Sequence, residues 1–357
     1  MKYIRKDPLI LLILAIPFAF LAEFLHWGEV WVFAFSAVGV IPMARYIGQS
    51  TEALAHYTGP KIGGLLNATL GNAAELIITI FAIREGLLDL VKASITGSIL
   101  GNILLVLGMS MVVGGKRNGV QSFNRQQATN NAVLLSLAVV ALVIPSLFSQ
   151  SIGPEGSVKV EILSLGVAAV MIVLYVLGLI FSYRLADSLL MAPLGEAGEV
   201  TKHTWSLRTA IIVLALSTIG VAFLSELLVG SVDPVVSNFG ISEFFLGIIL
   251  IPLIGNVAEH LVAVQVAAEN KMDLSVEISL ASSLQIALFV APVLVFVSLL
   301  MGNPLTLIFN RFELIALIAG VLIAAVVSAD GESNWLEGVE LLAVYVILGL
   351  AFYLLPV

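Results

Sequence analysis

Long apolar runs separated by short polar breaks make up most of this chain of 357 residues. Because the hydrocarbon core of a bilayer is about 30 Å thick, a helix that spans it needs roughly 20 apolar residues. The pattern predicts eleven such helices, at residues 8–27, 29–49, 61–83, 93–114, 129–149, 160–183, 207–230, 242–268, 275–300, 305–328 and 335–356. The predicted fold class is therefore an all-α integral membrane protein.

Composition supports this class, since 60% of the residues are hydrophobic and only 11% are charged. A soluble domain is nearer half apolar and a quarter charged. The chain has no cysteine, which excludes disulfides, thiolate catalysis and cysteine-based metal sites. The lipid bilayer is an expected partner, and nothing in the chain points to nucleic acid.

Basic residues predict the orientation, because they accumulate in short cytoplasmic loops. With the N-terminus inside, twelve Lys and Arg residues fall on the cytoplasmic side and four on the external side. We therefore expect a multi-pass protein of the cell membrane, of the prokaryotic cytoplasmic type, with a cytoplasmic N-terminus and an external C-terminus. The longest loop, 184–206, is predicted to be a cytoplasmic linker.

An internal repeat appears when the chain is aligned with itself at an offset of 184 residues. Residues 71–106 then match residues 255–290 at 11 of 36 positions, among them glycine, asparagine and acidic residues. The first matched segment begins in the third span and the second in the eighth, five spans later, so the two halves run in opposite directions across the membrane. Inverted repeats are an architecture of secondary transporters. The predicted parts are an extra N-terminal helix (1–28), a first five-helix repeat (29–183), the linker (184–206) and a second repeat (207–357).

The matched segments place one carboxylate inside a span of each repeat, at Glu75 and Glu259. A bare carboxylate is costly there, so each needs compensating partners. An asparagine three residues earlier shares a helical face with each glutamate. A glycine beside it removes side-chain bulk. These four residues are Asn72 and Asn256, and Gly71 and Gly255. Hard oxygen ligands of this kind favour Ca²⁺.

Polar residues on the neighbouring predicted helices could orient the carboxylates or contact the ion. Hydrogen bonding between helices is their alternative role. They are Ser98, Asn102, Ser282, Ser283 and Gln285. His260 follows Glu259 and points about 100° away on a helix, so it is either a proton relay or a packing residue supporting the site.

Electrostatics connect this cluster with protons. Desolvation and mutual repulsion both favour the protonated form of two neighbouring buried carboxyl groups. A metal ion needs the deprotonated form, so metal and protons displace each other. A protein that alternates access with such a site is an antiporter.

The chain resembles the calcium/proton exchangers of the cation/calcium exchanger superfamily. The likeness covers nearly the whole chain and is most specific in 71–75, 97–102, 255–260 and 282–285. It implies that Glu75 and Glu259 are shared Ca²⁺ and proton ligands. It also implies supporting roles for the residues Asn72, Asn256, Ser98, Ser282 and Gln285. The implied function is secondary active export of Ca²⁺ from the cytoplasm in exchange for protons, with no enzyme activity and no cofactor. Ca²⁺, other divalent cations and protons are the cargo.

Three other functions compete with this interpretation. A sodium/calcium exchanger shares the architecture, but its repeats usually read Gly-x-Ser-x-Pro-Glu, which neither segment matches. A cation channel more often presents symmetric rings of charge. An intramembrane hydrolase would need a nucleophile or a histidine cluster beside the carboxylates. The sequence also leaves a homo-oligomer open.

Overall fold

The computed structural model describes residues 8–185 and 205–355 and is almost entirely helical there. Most of the predicted linker, 184–206, lies outside the described residues, as do the basic residues before Pro8 that contributed to the predicted orientation. The helical content confirms the predicted fold class.

Fifteen α-helices, three of them extended by π-helical turns, make up the described chain. In chain order they are α1 (Ala15–Phe24, preceded by a 3-10 segment, Pro8–Leu14), α2 (Glu29–Leu70), α3 (Ala73–Arg84), α4 (Leu88–Leu100), a π turn (Gly101–Val106), α5 (Leu107–Asn118), α6 (Arg125–Ile152), α7 (Val158–Leu185), α8 (Leu207–Gly230), α9 (Val232–Phe239), α10 (Glu243–Phe245), a π turn (Leu246–Leu250), α11 (Ile251–Ala268), α12 (Met272–Gln285), a π turn (Ile286–Val290), α13 (Ala291–Met301), α14 (Arg311–Val327) and α15 (Trp335–Tyr353).

Eight helices of the described chain are long and apolar enough to cross a membrane. The predicted span 207–230 coincides with α8, and most of the others differ from a helix by a few residues at each end. Predicted spans 8–27, 61–83 and 305–328 correspond to shorter or interrupted helices. The total of eleven spans therefore stays a prediction.

The predicted break between the second and third spans, at residues 50–60, is helical in the structure. Helix α2 continues to Leu70, and the chain leaves the helix only at Gly71 and Asn72. Polar side chains stay inside the helix because their hydroxyl groups donate to backbone carbonyls of the preceding turn. Ser50 donates to the Tyr46 carbonyl over 2.6 Å, and Thr51 donates to the Ile47 carbonyl over 2.8 Å. These polar residues interrupt the apolar pattern without interrupting the helix.

The described residues fall into two compact units, each drawing helices from both halves of the chain. The first unit contains the described residues within Met1–Val91, Thr201–Glu259 and Tyr353–Val357. Helices α2, α3 and α8 pack together in it around Ile47, Ala74 and Val221. A Cβ built on Gly220 would lie 3.0 Å from Met43 Sδ, so α8 and α2 approach closely there and a larger residue would displace the Met43 side chain. This packing holds the start of α3 in place.

The second unit contains the described residues within Lys92–Val200 and His260–Phe352. Helices α5 and α15 are in backbone contact there, since a Cβ on Gly338 would lie 2.6 Å from the Gly108 carbonyl oxygen. A short antiparallel pair of strands, β1 (Gln121–Ser122) and β2 (Glu332–Ser333), joins the two connections before α6 and before α15. The sequence pattern did not predict these strands.

Large apolar side chains are exposed along the outer faces of several helices. Val170 and Phe181 on α7, and Ile212 and Leu216 on α8, are examples. An aqueous protein rarely exposes contiguous apolar surface of this extent. These faces need lipid as their solvent, as the composition predicted.

Candidate ion-binding site

Glu75 lies at a break in the helical chain. Gly71 and Asn72 form a turn between α2 and α3, and Glu75 falls in the first turn of α3. The N-terminus of a helix favours a negative charge, which partly offsets the cost of burying the carboxylate. The side chain is only 3% exposed, and neither carboxylate oxygen has a hydrogen-bond partner among the described residues. An ionised carboxylate here needs a cation, and a neutral one needs a proton.

Glu259 lies on α11, which continues without a break through Gly255 and Asn256. The second repeat therefore does not reproduce the turn found before Glu75. The departure from α-helical geometry in this repeat comes earlier, at the π turn Leu246–Leu250. Sequence matching alone did not show this difference between the repeats.

The glycine of each repeat lies against the glutamate of the other. A Cβ built on Gly255 would lie 3.1 Å from Cγ and Cδ of Glu75 and 3.2 Å from its Oε1. A Cβ built on Gly71 would lie 3.4 Å from Oε1 of Glu259. The Glu75 and Glu259 carboxylates also interact electrostatically. Both pairs lie in the first unit, so the structure brings these four predicted site residues together.

The two asparagines predicted beside the glutamates are both buried in the same unit. Asn72 is the residue immediately before α3, and Asn256 lies one turn before Glu259 on α11. Asn72 is the N-cap residue of α3, where its carbonyl accepts a hydrogen bond from the Leu76 N–H over 3.0 Å, so it stands three residues before Glu75 at the end of the helix and not inside a continuous helix. On α11 the predicted shared face of Asn256 and Glu259 is present.

A second group of predicted residues meets inside the other unit. Asn102, in the π turn after α4, donates from Nδ2 to Oγ of Ser282 on α12 over 3.0 Å. Ser98 is buried on α4, and Ser283 donates to the Ser279 carbonyl over 2.9 Å. Gln285 is half-buried at the end of α12. The hydrogen bond between Asn102 and Ser282 joins the corresponding segments of the two repeats.

His260 is buried, with 5% of its surface exposed. Its Nε2 has no hydrogen-bond partner within the described part of the chain. The proton-relay role and the packing role of His260 both remain hypotheses.

Sequence reasoning missed Glu313, which is only 2% exposed. Its Oε1 accepts a hydrogen bond from Thr96 Oγ1 over 3.2 Å, and its Oε2 accepts one from the Asn310 backbone N–H over 2.8 Å. Asn310 and Glu313 form a capping box at the start of α14. The spacing Asn-x-x-Glu before an apolar run is the signal that could have revealed it. These hydrogen bonds satisfy the buried carboxylate, so Glu313 has a structural role at the start of α14.

Lys92, one of the four basic residues that the predicted spans assign to the external side, is buried on α4, where its Nζ pairs with Glu155 over 3.0 Å. Glu155 also accepts a hydrogen bond from Thr306 over 2.7 Å. The pair ties α4 to the connections that precede α7 and α14. The orientation argument counts basic residues in loops. Since Lys92 lies on a helix and is paired with Glu155, it contributes little to that count.

The two glutamates would supply only part of the ligands of a bound cation. Within the described ranges, no three or more His, Cys, Asp and Glu side chains are grouped so that they could hold a metal ion. The two glutamates alone would leave most positions around a cation to amide, hydroxyl, carbonyl or water oxygens. Ca²⁺ takes 6 to 8 oxygen ligands in flexible geometry and accepts such a mixture.

Apolar helices surround the carboxylate of Glu75, which is buried, and that of Glu259, which is half-buried, an arrangement expected of a cation-carrying membrane transporter. The family described as "Sodium/calcium exchanger protein" matches residues 28–184 and 209–354, which is most of the chain. The chain belongs to this family.

Relatives of high similarity carry more specific names. The chain is 44% identical to a "Ca(2+)/H(+) antiporter" of Aphanothece halophytica, over 97% of this chain and 96% of that one. It is also 44% identical to the "Ca(2+)/H(+) antiporter ChaA" of Bacillus subtilis, over 97% of this chain and 98% of that one. The solved structure "Structure of native YfkE" has a TM-score of 0.85 at 43% identity, covering 97% of this chain and all of that one. The chain is a transporter, not an enzyme.

Proposed function

We propose that this protein is a secondary active antiporter that exports Ca²⁺ from the cytoplasm in exchange for protons by alternating access. The observation that carries the proposal is the reciprocal contact between the repeats, with Gly255 against Glu75 and Gly71 against Glu259. This contact supports a site shared by the two carboxylates, of which Glu75 is buried and Glu259 half-buried. Relatives at 44% identity that are named Ca²⁺/H⁺ antiporters support the choice of ions.

Charge balance accounts for the exchange. One Ca²⁺ or two protons would each neutralise the two carboxylates of Glu75 and Glu259. Because the oxygens of Glu75 have no hydrogen-bond donor in the described protein, the empty ionised site is costly in a low-dielectric environment. The Ca²⁺-loaded and the doubly protonated forms of the protein can therefore change between the inward-facing and outward-facing states. The empty form, with two negative charges, cannot make this change readily. This difference prevents uncoupled leak of either ion.

Asn72 and Asn256 are proposed to supply amide oxygens to Ca²⁺ from positions beside the glutamates. Asn102 and Ser282 are proposed to fix the geometry of their segments through their mutual hydrogen bond. We assign supporting roles to four further residues because they lie in the matched segments or next to a predicted ligand. They are Ser98, Ser283, Gln285 and His260. In this arrangement the glutamates are the groups that change between ion-bound and protonated states.

Sodium/calcium exchange is the second candidate, because the matching family carries that description. The repeats here read Gly-Asn-Ala-Ala-Glu and Gly-Asn-Val-Ala-Glu and lack the serine and proline expected of sodium exchangers. A test of the function must therefore vary sodium and protons independently.

Transport of ⁴⁵Ca²⁺ into proteoliposomes tests the proposal. Vesicles with an acidic interior should accumulate Ca²⁺ in sodium-free buffer, because protons leave as Ca²⁺ enters. Collapse of the pH gradient with a protonophore and a potassium/valinomycin clamp should stop the accumulation. Saturation at high Ca²⁺ would distinguish a carrier from a channel.

Each alternative predicts a different result in the same vesicles. Accumulation that requires an outward sodium gradient and ignores the pH gradient would contradict proton exchange. Flux that only follows the Ca²⁺ gradient would contradict antiport altogether. Empty liposomes and the Glu75→Gln variant provide the baseline.

A further inference from the structure

The two repeats carry a matched distortion in their second ligand segments. The π turn Gly101–Val106 falls on residues 285–290 at the repeat offset of 184, and the other π turn is Ile286–Val290. In the first repeat the Leu107 N–H donates to the Asn102 carbonyl, five residues earlier. In the second repeat the Ala291 N–H donates to the Ile286 carbonyl. The same hydrogen bond is therefore shifted at the same place in both repeats.

A third π turn precedes the ligand segment of α11. Leu246–Leu250 is π-helical, and the Ile251 N–H donates to the Leu246 carbonyl. The turn ends five residues before Gly255. Each of the three π turns therefore adjoins a segment that carries predicted ligands. Such turns are rare and occur frequently at functional sites.

Two of the three π turns are followed by a proline. Pro252 lies two residues after the last residue of Leu246–Leu250, and Pro292 lies two residues after the last residue of Ile286–Val290. Both prolines are buried. Proline has no N–H to donate, and its ring clashes with the carbonyl four residues earlier. A wider turn relieves that clash by moving the carbonyl away.

Proline alone does not produce a π turn in this protein. Pro42 lies inside α2 and Pro145 lies inside α6, and both helices are α-helical around them. In the described chain, a proline follows a π turn on α10–α11 and on α12–α13, the helices that carry the ligand segments of the second repeat. Packing at those segments must therefore favour the wider turn.

We propose that Pro252 and Pro292 are positioning residues that keep α10–α11 and α12–α13 bendable at the π turns beside the ion ligands. The turn before each proline switches between π and α hydrogen bonding as the site exchanges Ca²⁺ for protons. An ordinary helix favours the α form, but the missing N–H and the ring clash at the proline remove that advantage, so the two forms lie close in free energy. This inference rests on the proposed antiport function.

Replacing each proline by alanine tests the inference, because alanine restores the N–H and favours the α form. For Pro252→Ala and Pro292→Ala we expect unchanged thermal stability or an increase, and a change in Ca²⁺ affinity by calorimetry that is no larger than the change in exchange rate. We expect the maximal exchange rate to fall about three- to tenfold, the effect of one additional hydrogen bond that must break in each cycle. A purely structural role would lower stability and affinity together.

Pro145→Ala is the matched control, since it restores an N–H inside a long helix that has no π turn. Its exchange rate should equal that of the unmodified protein. The inference is wrong if Pro252→Ala and Pro292→Ala exchange at the unmodified rate, if Pro145→Ala slows exchange equally, or if affinity falls with stability. Failure of the unmodified protein to exchange Ca²⁺ for protons would instead contradict the proposed function.

Hydrogen exchange on the unmodified protein decides the matter if a variant does not fold. At fixed pH, addition of Ca²⁺ should change amide exchange in residues 246–251 and 286–291. Residues 142–149, around Pro145, should show no change. Identical exchange with and without Ca²⁺ at both π turns would overturn the inference.

Discussion

The contact between Gly255 and Glu75 makes a single added methyl group a sharp test of the ion site. In Gly255→Ala the new Cβ would lie 3.1 Å from Cγ and Cδ of Glu75 and 3.2 Å from its Oε1. Contacts of carbon atoms are optimal at about 3.5 to 4.0 Å. The Glu75 side chain must therefore move by several tenths of an ångström, which changes its placement beside Glu259.

Overpacking of this kind costs about 1 to 3 kcal/mol. Because Glu75 must return to its present position to bind Ca²⁺, this strain falls on the bound state. At about 1.4 kcal/mol per tenfold change in affinity, it corresponds to a loss of about 5- to 150-fold in Ca²⁺ binding. Because the contacted atoms belong to a side chain and not to backbone, part of the strain can relax. We therefore expect a loss near the lower part of that range, about tenfold.

Calorimetric titration with Ca²⁺ and ⁴⁵Ca²⁺ uptake into vesicles measure this change. Gly48→Ala on α2 is the matched control, because a Cβ there meets no atom within 4 Å. The control should bind Ca²⁺ normally and be no less stable, since alanine is the better helix former. Normal affinity in a correctly folded Gly255→Ala variant would refute the reasoning that Gly255 provides space for Glu75.

Three further outcomes are expected from the same site and from the predicted topology. Glu75→Gln and Glu259→Gln should each abolish exchange while the protein stays folded. Glu277→Gln, a half-buried control on α12, should leave exchange unchanged. Normal transport by purified Glu75→Gln or Glu259→Gln in vesicles would contradict the site assignment. Apparent Ca²⁺ affinity should fall as the pH drops, because protons occupy the carboxylates that Ca²⁺ needs. Calorimetry in buffers of different ionisation enthalpy should count more than one proton released per Ca²⁺, and affinity independent of pH would contradict competition. Reporter fusions at Val357 should report an external C-terminus, and a cytoplasmic signal would mean that the span count is wrong.

Local sequence pattern determined the membrane class and the positions of most helices. A long apolar run has few alternatives to a helix in lipid, because each backbone N–H and carbonyl must bond within the segment. The repeat match also pointed to Glu75 and Glu259, since acidic residues are rare in such helices and two at equivalent positions are unlikely to coincide by chance. Their roles as ion and proton ligands remain predictions.

The extent of α2 depended on more than the apolar pattern. Residues 50–60 are polar enough to suggest a loop, but hydroxyl groups such as that of Thr51 bond back to the helix and keep it continuous. The break falls at Gly71 and Asn72, inside a stretch that the pattern assigned to one helix. Hydropathy measures preference for lipid or water, and this preference does not locate a break in backbone hydrogen bonding.

Only the tertiary structure decided which residues of the two repeats touch. Gly255 lies against Glu75 although the two are far apart in the chain. The spacing of residues within either segment does not predict that contact. Glu313 likewise finds Thr96 on a helix distant in sequence. Sequence spacing orders side chains along one helix, whereas contacts between helices depend on how their surfaces pack. The physical reason is that close approach requires small residues at matching positions on both helices, and that match exists only in the folded chain.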